Sequence, residues 1–420
     1  MPVFFKTFGC RTNIYDTQLM KEGLEKEGKK IAQKEREAKI VVVNSCTVTN
    51  SADRELKKYL RHLKKLPTHP KVILIGCGSY TRGKELIETG MVDLVLGHKF
   101  KESLFYHLHR QGIDLGDFNF INRRLVSHFT TSKGFIKIQE GCNFKCGYCI
   151  IPTVRGPSRS VPEEQVTEQV KLLVSNGIRE IVLTGINMGS YGKEWGGSLS
   201  LLVEKLIKIP RLKRLRLGSL EPTQVDRRLE ELLESGILER HLHIALQHTH
   251  NQMLRLMKRR NRVETTLPLF ERLAGKGIAL GTDFIIGHPG ESERIWREGL
   301  KNFRRYPLTH IHLFRYSPRE GTPSAQLDGL INGHTLQQRR KELMEIVHQN
   351  NWRFRLQRQL ERVPLLVHIE QIKEVKGKRV GIGYDQFFNK TFIEGKGIKK
   401  GDWVELLNYR LEKDGNYGKV

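Results

Sequence analysis

Short apolar, β-branched runs alternate with longer stretches whose apolar positions recur every three or four residues. In the first third, Val3–Thr7, Ile40–Asn44 and Lys71–Ile75 are nearly continuous apolar runs, the pattern of strands buried on both faces. Each precedes a helical spacing, over Ile14–Glu27, Ser51–Lys65 and Lys84–Glu88, with Asn50 or Ser51 placed to cap the second helix. Repeated strand–helix order predicts an N-terminal α/β domain with a parallel sheet, over residues 1–127.

Residues 98–134 carry no clean period. Beyond them six more strands are expected: Phe135–Gln139, Ile181–Thr184, Arg214–Leu217, His241–Ala245, Ala279–Ile286 and Ile311–Phe314. A helical pattern follows each, most clearly from Pro162 to Val174, over Glu291–Phe303 and over Leu336–Leu360. Six such units in residues 128–355 predict an open (β/α)6 partial barrel, whose chemistry belongs at the carboxyl ends of its strands. In residues 356–420 the runs Pro364–Glu370, Arg379–Tyr384, Thr391–Glu394 and Trp403–Leu407 predict a small antiparallel β-barrel, with a frayed end after Tyr409.

The cysteines give these elements a chemistry. Cys142, Cys146 and Cys149 stand at CxxxCxxC spacing directly after the first barrel strand. Three thiolates on one loop can hold three irons of a [4Fe–4S] cluster and leave the fourth open. A zinc site would want a fourth Cys or His close by, usually in paired CxxC units. The other three cysteines, Cys10, Cys46 and Cys77, each follow one of the first three strands. Such strand ends lie on one edge of a parallel sheet, where ligands bind. One strand-end cysteine is an ordinary small hydrophobe. Three of three point to a second [4Fe–4S] cluster with one iron not held by cysteine.

Charge adds a partner. The chain carries 72 Lys and Arg against 46 Asp and Glu, a net +26, and the excess is spread over all three segments. A distributed positive field suits a folded nucleic acid that touches several domains. No apolar run is long enough to cross a membrane, and Met1-Pro-Val-Phe-Phe-Lys is no signal peptide, so a cytoplasmic protein is expected. Six cysteines are too few for a disulfide scaffold.

The CxxxCxxC loop, with Tyr148 before its last cysteine, resembles the radical S-adenosylmethionine (SAM) superfamily. Thr7-Phe-Gly-Cys-Arg-Thr-Asn13, Tyr15-Asp16-Thr17 and Asn44-Ser-Cys46-Thr-Val-Thr are similar to the opening motifs of its methylthiotransferase family. Four motifs resemble the type that acts on N6-threonylcarbamoyladenosine in tRNA: Arg155-Gly-Pro-Ser-Arg-Ser160, Thr184-Gly-Ile-Asn-Met-Gly-Ser-Tyr-Gly192, Leu215-Arg-Leu-Gly-Ser-Leu-Glu-Pro222 and Tyr316-Ser-Pro-Arg-Glu-Gly-Thr-Pro323. The last segment resembles a TRAM RNA-binding barrel, with Tyr384, Phe387, Phe388, Lys390, Lys399 and Lys400 as candidates for RNA contact. Two departures stand out: Gln247-His-Thr-His250 replaces a Gln-Ser-Gly-like loop, and His288 replaces a Phe before Pro-Gly-Glu. His248, His250 and His288 are then expected in loops facing RNA.

The resemblance implies two [4Fe–4S] clusters. The one on Cys142, Cys146 and Cys149 cleaves SAM to a 5′-deoxyadenosyl radical. The one on Cys10, Cys46 and Cys77 carries sulfur that a second SAM methylates, and the methylthio group passes to C2 of the adenine. Tyr148, Gly185, Asn187, Ser219, Glu221 and Gln247 are the candidates for SAM contact. The implied partners are the tRNA anticodon stem-loop, a low-potential electron donor of the flavodoxin or ferredoxin type, and a sulfur donor.

Overall fold

The structure is a computed structural model that describes residues 1–375 and 377–420. The N-terminal sheet has five parallel strands in sequential order, Val3–Thr7, Ile40–Ser45, Lys71–Gly76, Leu94–Leu96 and Gly112–Asp114. The last two lie in and beside the stretch without a period. Apolar clusters on both faces, around Val42 and Ile75 on one and Val41 and Leu74 on the other, explain the unbroken hydrophobic runs.

Two helices begin earlier than the spacing suggested, at Arg11 and at Cys77. Their first turns consist of small and polar residues that carry no apolar period. The second helix, Asn50–Leu63, is capped by Thr49, not by Asn50 or Ser51: the Thr49 hydroxyl accepts a hydrogen bond from the Ala52 amide at 3.2 Å.

The six barrel strands are Gly134–Glu140, Glu180–Gly185, Arg214–Leu217, His241–His243, Ala279–Ile286 and His310–Arg315, all parallel in two groups of three. Bridges Leu215–Leu238 and Leu220–Ile244 join the groups into one curved wall. The helix Arg11–Lys26 packs Tyr15 and Leu19 onto Phe135 and Val182 of the barrel, so the first two domains share a core.

The last segment is a curled six-stranded sheet. Its Leu365–Val375, Lys378–Tyr384, Lys390–Glu394 and Trp403–Leu406 match the expected runs. The end is not frayed: Tyr409–Glu412 and Gly415–Lys419 form two further strands, and Gly415–Lys419 pairs in parallel with Lys390–Glu394. This sheet closes the floor of the barrel. Arg214 donates to the Tyr384 carbonyl at 3.0 Å, Arg216 to the Asp385 carbonyl at 3.1 Å, and His368 bonds Glu180 at 3.0 Å.

The expected RNA-stacking aromatics of this segment point inward. Phe387 is buried in the sheet core, and Phe388 stacks on His241 and on Tyr384 at ring separations of 5.1 and 4.9 Å. Only the cations Lys390, Lys399 and Lys400 of that set stay exposed.

Candidate active site at the domain interface

A cavity of about 1160 Å³ lies between the N-terminal sheet edge and the barrel lumen, and Phe388 contributes from the third domain. Cys10, Cys46 and Cys77 all line it, each placed by a strand end as the parallel topology requires. Gly9 (φ +95°) presses against Cys46: a Cβ there would lie 2.6 Å from the Cys46 Cβ and 3.0 Å from its Sγ. A side chain at Gly9 would therefore displace the thiol.

The CxxxCxxC loop is held by backbone bonds: Cys142 N to Gly156 O, Gly147 N to Met257 O and Cys149 N to Cys146 O, at 2.9 to 3.1 Å. Gly141 must be glycine, since a Cβ would lie 1.9 Å from the Pro157 carbonyl. Cys149 and Tyr148 line a pocket of about 180 Å³ that shares Val48, Thr49, Asp283 and Tyr316 among its walls with the large cavity. Cys149 of the loop thus opens on space that adjoins the cavity lined by Cys10, Cys46 and Cys77.

The thiols sit in environments made for thiolates. Cys77 Sγ accepts from Arg155 Nε at 3.1 Å. Cys142 Sγ accepts from the Phe144 amide at 3.4 Å and from Asn187 Nδ2 at 3.6 Å, and Arg259 Nη1 lies 3.7 Å from Cys146 Sγ. Burial disfavours a bare thiolate at two of them, pushing Cys46 up to about 11 and Cys149 up to about 12. A metal reverses this by coordinating the thiolate. Three convergent thiols, no disulfide and donors already aimed at sulfur fit an iron–sulfur cluster at each set.

A buried charge network joins the two domains. Asp16 accepts from Lys101 at 2.5 Å and from Lys137 at 2.6 Å, Lys137 also bonds Glu140, and Glu140 pairs with Arg155. Arg155 continues to Asn13 Oδ1 at 2.7 Å. Arg319 crosses the same interface to Asp53 at 2.9 Å and to Thr47 at 2.7 Å. These residues carry no local sequence pattern, and only the motifs holding Asn13, Asp16, Thr47, Arg155 and Arg319 hinted at them.

The expected SAM contacts divide. Gly185 and Ser219 line the large cavity, and Tyr148 and Gln247 the smaller pocket. Gln247 adopts a left-handed backbone (φ 65°), fixed by its hydrogen bonds to Asp283 O and Ile285 N. Tyr316 also lines that pocket, and its buried hydroxyl has no hydrogen-bond partner among the described residues. Asn187 is turned onto Cys142 and Gln224, and Glu221 is paired with Arg259 at 2.5 Å. Both hold the cluster loop's surroundings.

The histidines correct the expectation from sequence. His248 and His288 are buried and do not face RNA: His248 bonds Glu291 at 3.0 Å, and His288 bonds Ser324 at 2.8 Å. His250 bonds Glu298 at 2.8 Å. Other histidines, unremarked in the sequence, line the cavity. His243 and His312 both bond Asp283, at 3.0 and 3.3 Å, and their rings stack at 4.5 Å.

A parallel partial barrel with a three-cysteine loop at its first strand end, roofed by a thiol-bearing sheet edge, defines a radical SAM enzyme with an added thiol-bearing domain. Residues 136–303 match the family model described as "Radical SAM superfamily", and residues 2–97 match "Uncharacterized protein family UPF0004". A Helicobacter pylori protein whose name assigns it to the methylthiotransferases, with no substrate given, is 43% identical over 99% of both chains. The threonylcarbamoyladenosine tRNA methylthiotransferase MtaB of Rickettsia prowazekii is 33% identical over 82% of both chains, and that of Bacillus subtilis 31% identical over 96% of this chain and 93% of its own. Among solved structures the fold is similar to the radical SAM methyltransferase TsrM of Kitasatospora setae, with TM-score 0.61, 15% identity and 77% of each chain covered. The chain belongs to the methylthiotransferase family of radical SAM enzymes. Its resident cofactors therefore include a [4Fe–4S] cluster and SAM. Among the described residues no helix is long and apolar enough to cross a membrane.

Proposed function

We propose that this chain transfers a methylthio group to C2 of N6-threonylcarbamoyladenosine at position 37 of tRNA, next to the anticodon, giving the 2-methylthio derivative. The observation that carries the reading is that Cys149 of the barrel loop opens on space adjoining the cavity that Cys10, Cys46 and Cys77 of the other domain line. When bound, the cluster on Cys142, Cys146 and Cys149 supplies a 5′-deoxyadenosyl radical from SAM, and a second [4Fe–4S] cluster on Cys10, Cys46 and Cys77 supplies the sulfur.

The chain's own residues bind, orient and exclude. Asn187, Arg259 and the Phe144 amide hold the thiolates of the first set, and Arg155 holds Cys77 of the second. Tyr148, Gln247 and Tyr316 wall the pocket beside Cys149, where SAM is placed, with Gly185 and Ser219 across the cavity. The buried Asp16–Lys101–Lys137–Glu140–Arg155 network fixes the spacing of the two sets.

The division into residues 1–127, 128–355 and 356–420 then assigns sulfur supply, radical generation and RNA docking in turn. The exposed Lys390, Lys399 and Lys400 of a TRAM-like sheet, with the overall +26 charge, supply affinity for the anticodon stem-loop. A flavodoxin- or ferredoxin-type reductant and a sulfur donor complete the system in the cytoplasm.

Nucleoside analysis of tRNA from cells with and without the gene tests the reading. Loss of 2-methylthio-N6-threonylcarbamoyladenosine supports it. Relatives named for dimethylallyladenosine, 31% identical, make the isopentenyl nucleoside the rival substrate; its selective loss would replace the substrate and keep the chemistry.

A further inference from the structure

Of the cations that line the large cavity, Arg11, Arg54 and Arg315 make no side-chain hydrogen bond or ion pair among the described residues. Arg155 is committed to Cys77, Asn13 and Glu140, and Arg216 to Glu180, Glu239 and the Asp385 carbonyl. Arg54 and Arg315 are exposed at the rim. Arg11 lines the cavity half-buried, and its guanidinium makes no hydrogen bond or ion pair among the described residues.

Its position makes the missing partner conspicuous. Arg11 opens the helix Arg11–Lys26, at the end where the helix dipole disfavours a cation, and the first turn holds no acidic residue to offset it. Nor is Arg11 the counter-charge of its neighbour Cys10. Arg216, Glu239 and His241 of the barrel wall line the same cavity as Arg11. The thiol set is served by Arg155 instead. The Arg11 side chain thus shares one cavity with the lumen wall, where a substrate's tail would lie.

The lumen wall is of mixed character. Arg216, Glu239, His241, His243, Asp283 and His312 line that part of the cavity. Leu217, Leu313 and Phe388 line it beside them, so an isopentenyl group would find apolar contacts but leave Arg11 without a partner. A tail that ends in a carboxylate would give Arg11 the planar, two-oxygen partner its guanidinium fits.

We propose that Arg11 is the carboxylate receptor of this cavity, binding the amino-acid carboxylate carried on N6 of the substrate adenosine and selecting such adenosines against prenylated ones. The inference rests on the tRNA reading above and adds to it the residue that sets the substrate class. Arg11 is a positioning and specificity residue; it moves no proton and makes no bond to the reacting carbon.

The test uses reconstituted holoenzyme and anticodon stem-loops bearing N6-threonylcarbamoyladenosine as the free acid or as the carboxamide. The wild type is expected to show a KM about ten- to a hundredfold lower for the acid, the range lost when a hydrogen-bonded charge goes unpaired. Arg11→Leu should raise KM for the acid by a similar factor, change kcat little, and no longer distinguish acid from amide; Arg11→Lys should keep part of the preference. Iron content, read in parallel, separates an effect on the adjoining Cys10. Equal KM values for acid and amide in the wild type overturn the inference without any variant, as does an Arg11→Leu protein of full iron content that keeps the wild-type preference. If the wild type converts neither stem-loop, the tRNA substrate reading itself fails, and with it this inference.

Discussion

Arg155 Nε lies 3.1 Å from Cys77 Sγ, so a residue just beyond the CxxxCxxC loop holds a thiol of the other domain. The same guanidinium pairs with Glu140 and bonds Asn13, all of it buried. Arg155→Met should strip the second thiol set of its compensating charge and leave Glu140 short of a partner. Expected are loss of iron from the second site, with the first largely kept, and destabilisation by about 3–5 kcal/mol. Iron analysis and Mössbauer spectra check the first effect and denaturant unfolding the second. Arg155→Lys, keeping the charge without the fork, should fall between.

Asp16 makes the interface sensitive to acid. Burial opposes its ionisation, but Lys101 and Lys137 outweigh burial and hold its carboxyl below the usual range. A carboxylate lowered in the folded state contributes stability above its unfolded pKa and loses it as pH falls through the folded value. Stability should therefore hold at neutral pH and fall below about pH 4. Asp16→Asn, which leaves two buried ammonium groups with less compensation, should lose about 3–5 kcal/mol at pH 7 and show a shallower acid slope in denaturant unfolding.

Gly9→Ala tests the cradle around Cys46. The added Cβ meets the Cys46 side chain at 2.6 Å in a backbone region that disfavours alanine. The variant should reconstitute the first cluster and not the second, so SAM-dependent release of 5′-deoxyadenosine should continue while the methylthiolated product falls at least tenfold.

His248 should matter for stability and not for RNA. It is covered by Glu291, which also binds Arg339 at 2.6 Å and the Gly287 amide. His248→Ala should cost about 1–3 kcal/mol of folding free energy and leave tRNA affinity within twofold in a gel-shift titration.

The strands were legible because the sheets are buried on both faces, as at Val41–Val43 and Ile73–Ile75. The turns that carry the thiols were less so. Arg11–Asn13 and Cys77–Ser79 are helical in the structure, but polar and small residues chosen for a site leave no apolar period. The two final strands escaped for other reasons: Tyr409–Glu412 alternates over only four residues, and Gly415–Lys419 holds two glycines and a buried Asn416.

At the site, cysteine spacing and strand-end position were enough to point to both thiol sets. The network that locks them together was not readable, since Asp16, Lys101 and Lys137 meet only in space. His248 and His288 misled for the same reason. Polar residues in loops read as exposed until the Glu291 and Ser324 that cover them are seen.

The most direct test of the central claim, that two thiol sets do separate work on one adjoining space, is a product analysis of Cys46→Ala holoenzyme with SAM, a reductant and the threonylcarbamoyladenosine stem-loop. The expected result is 5′-deoxyadenosine without 2-methylthio nucleoside, beside a Cys146→Ala control that makes neither. A Cys46→Ala enzyme that still forms the methylthiolated nucleoside at the wild-type rate would contradict the account.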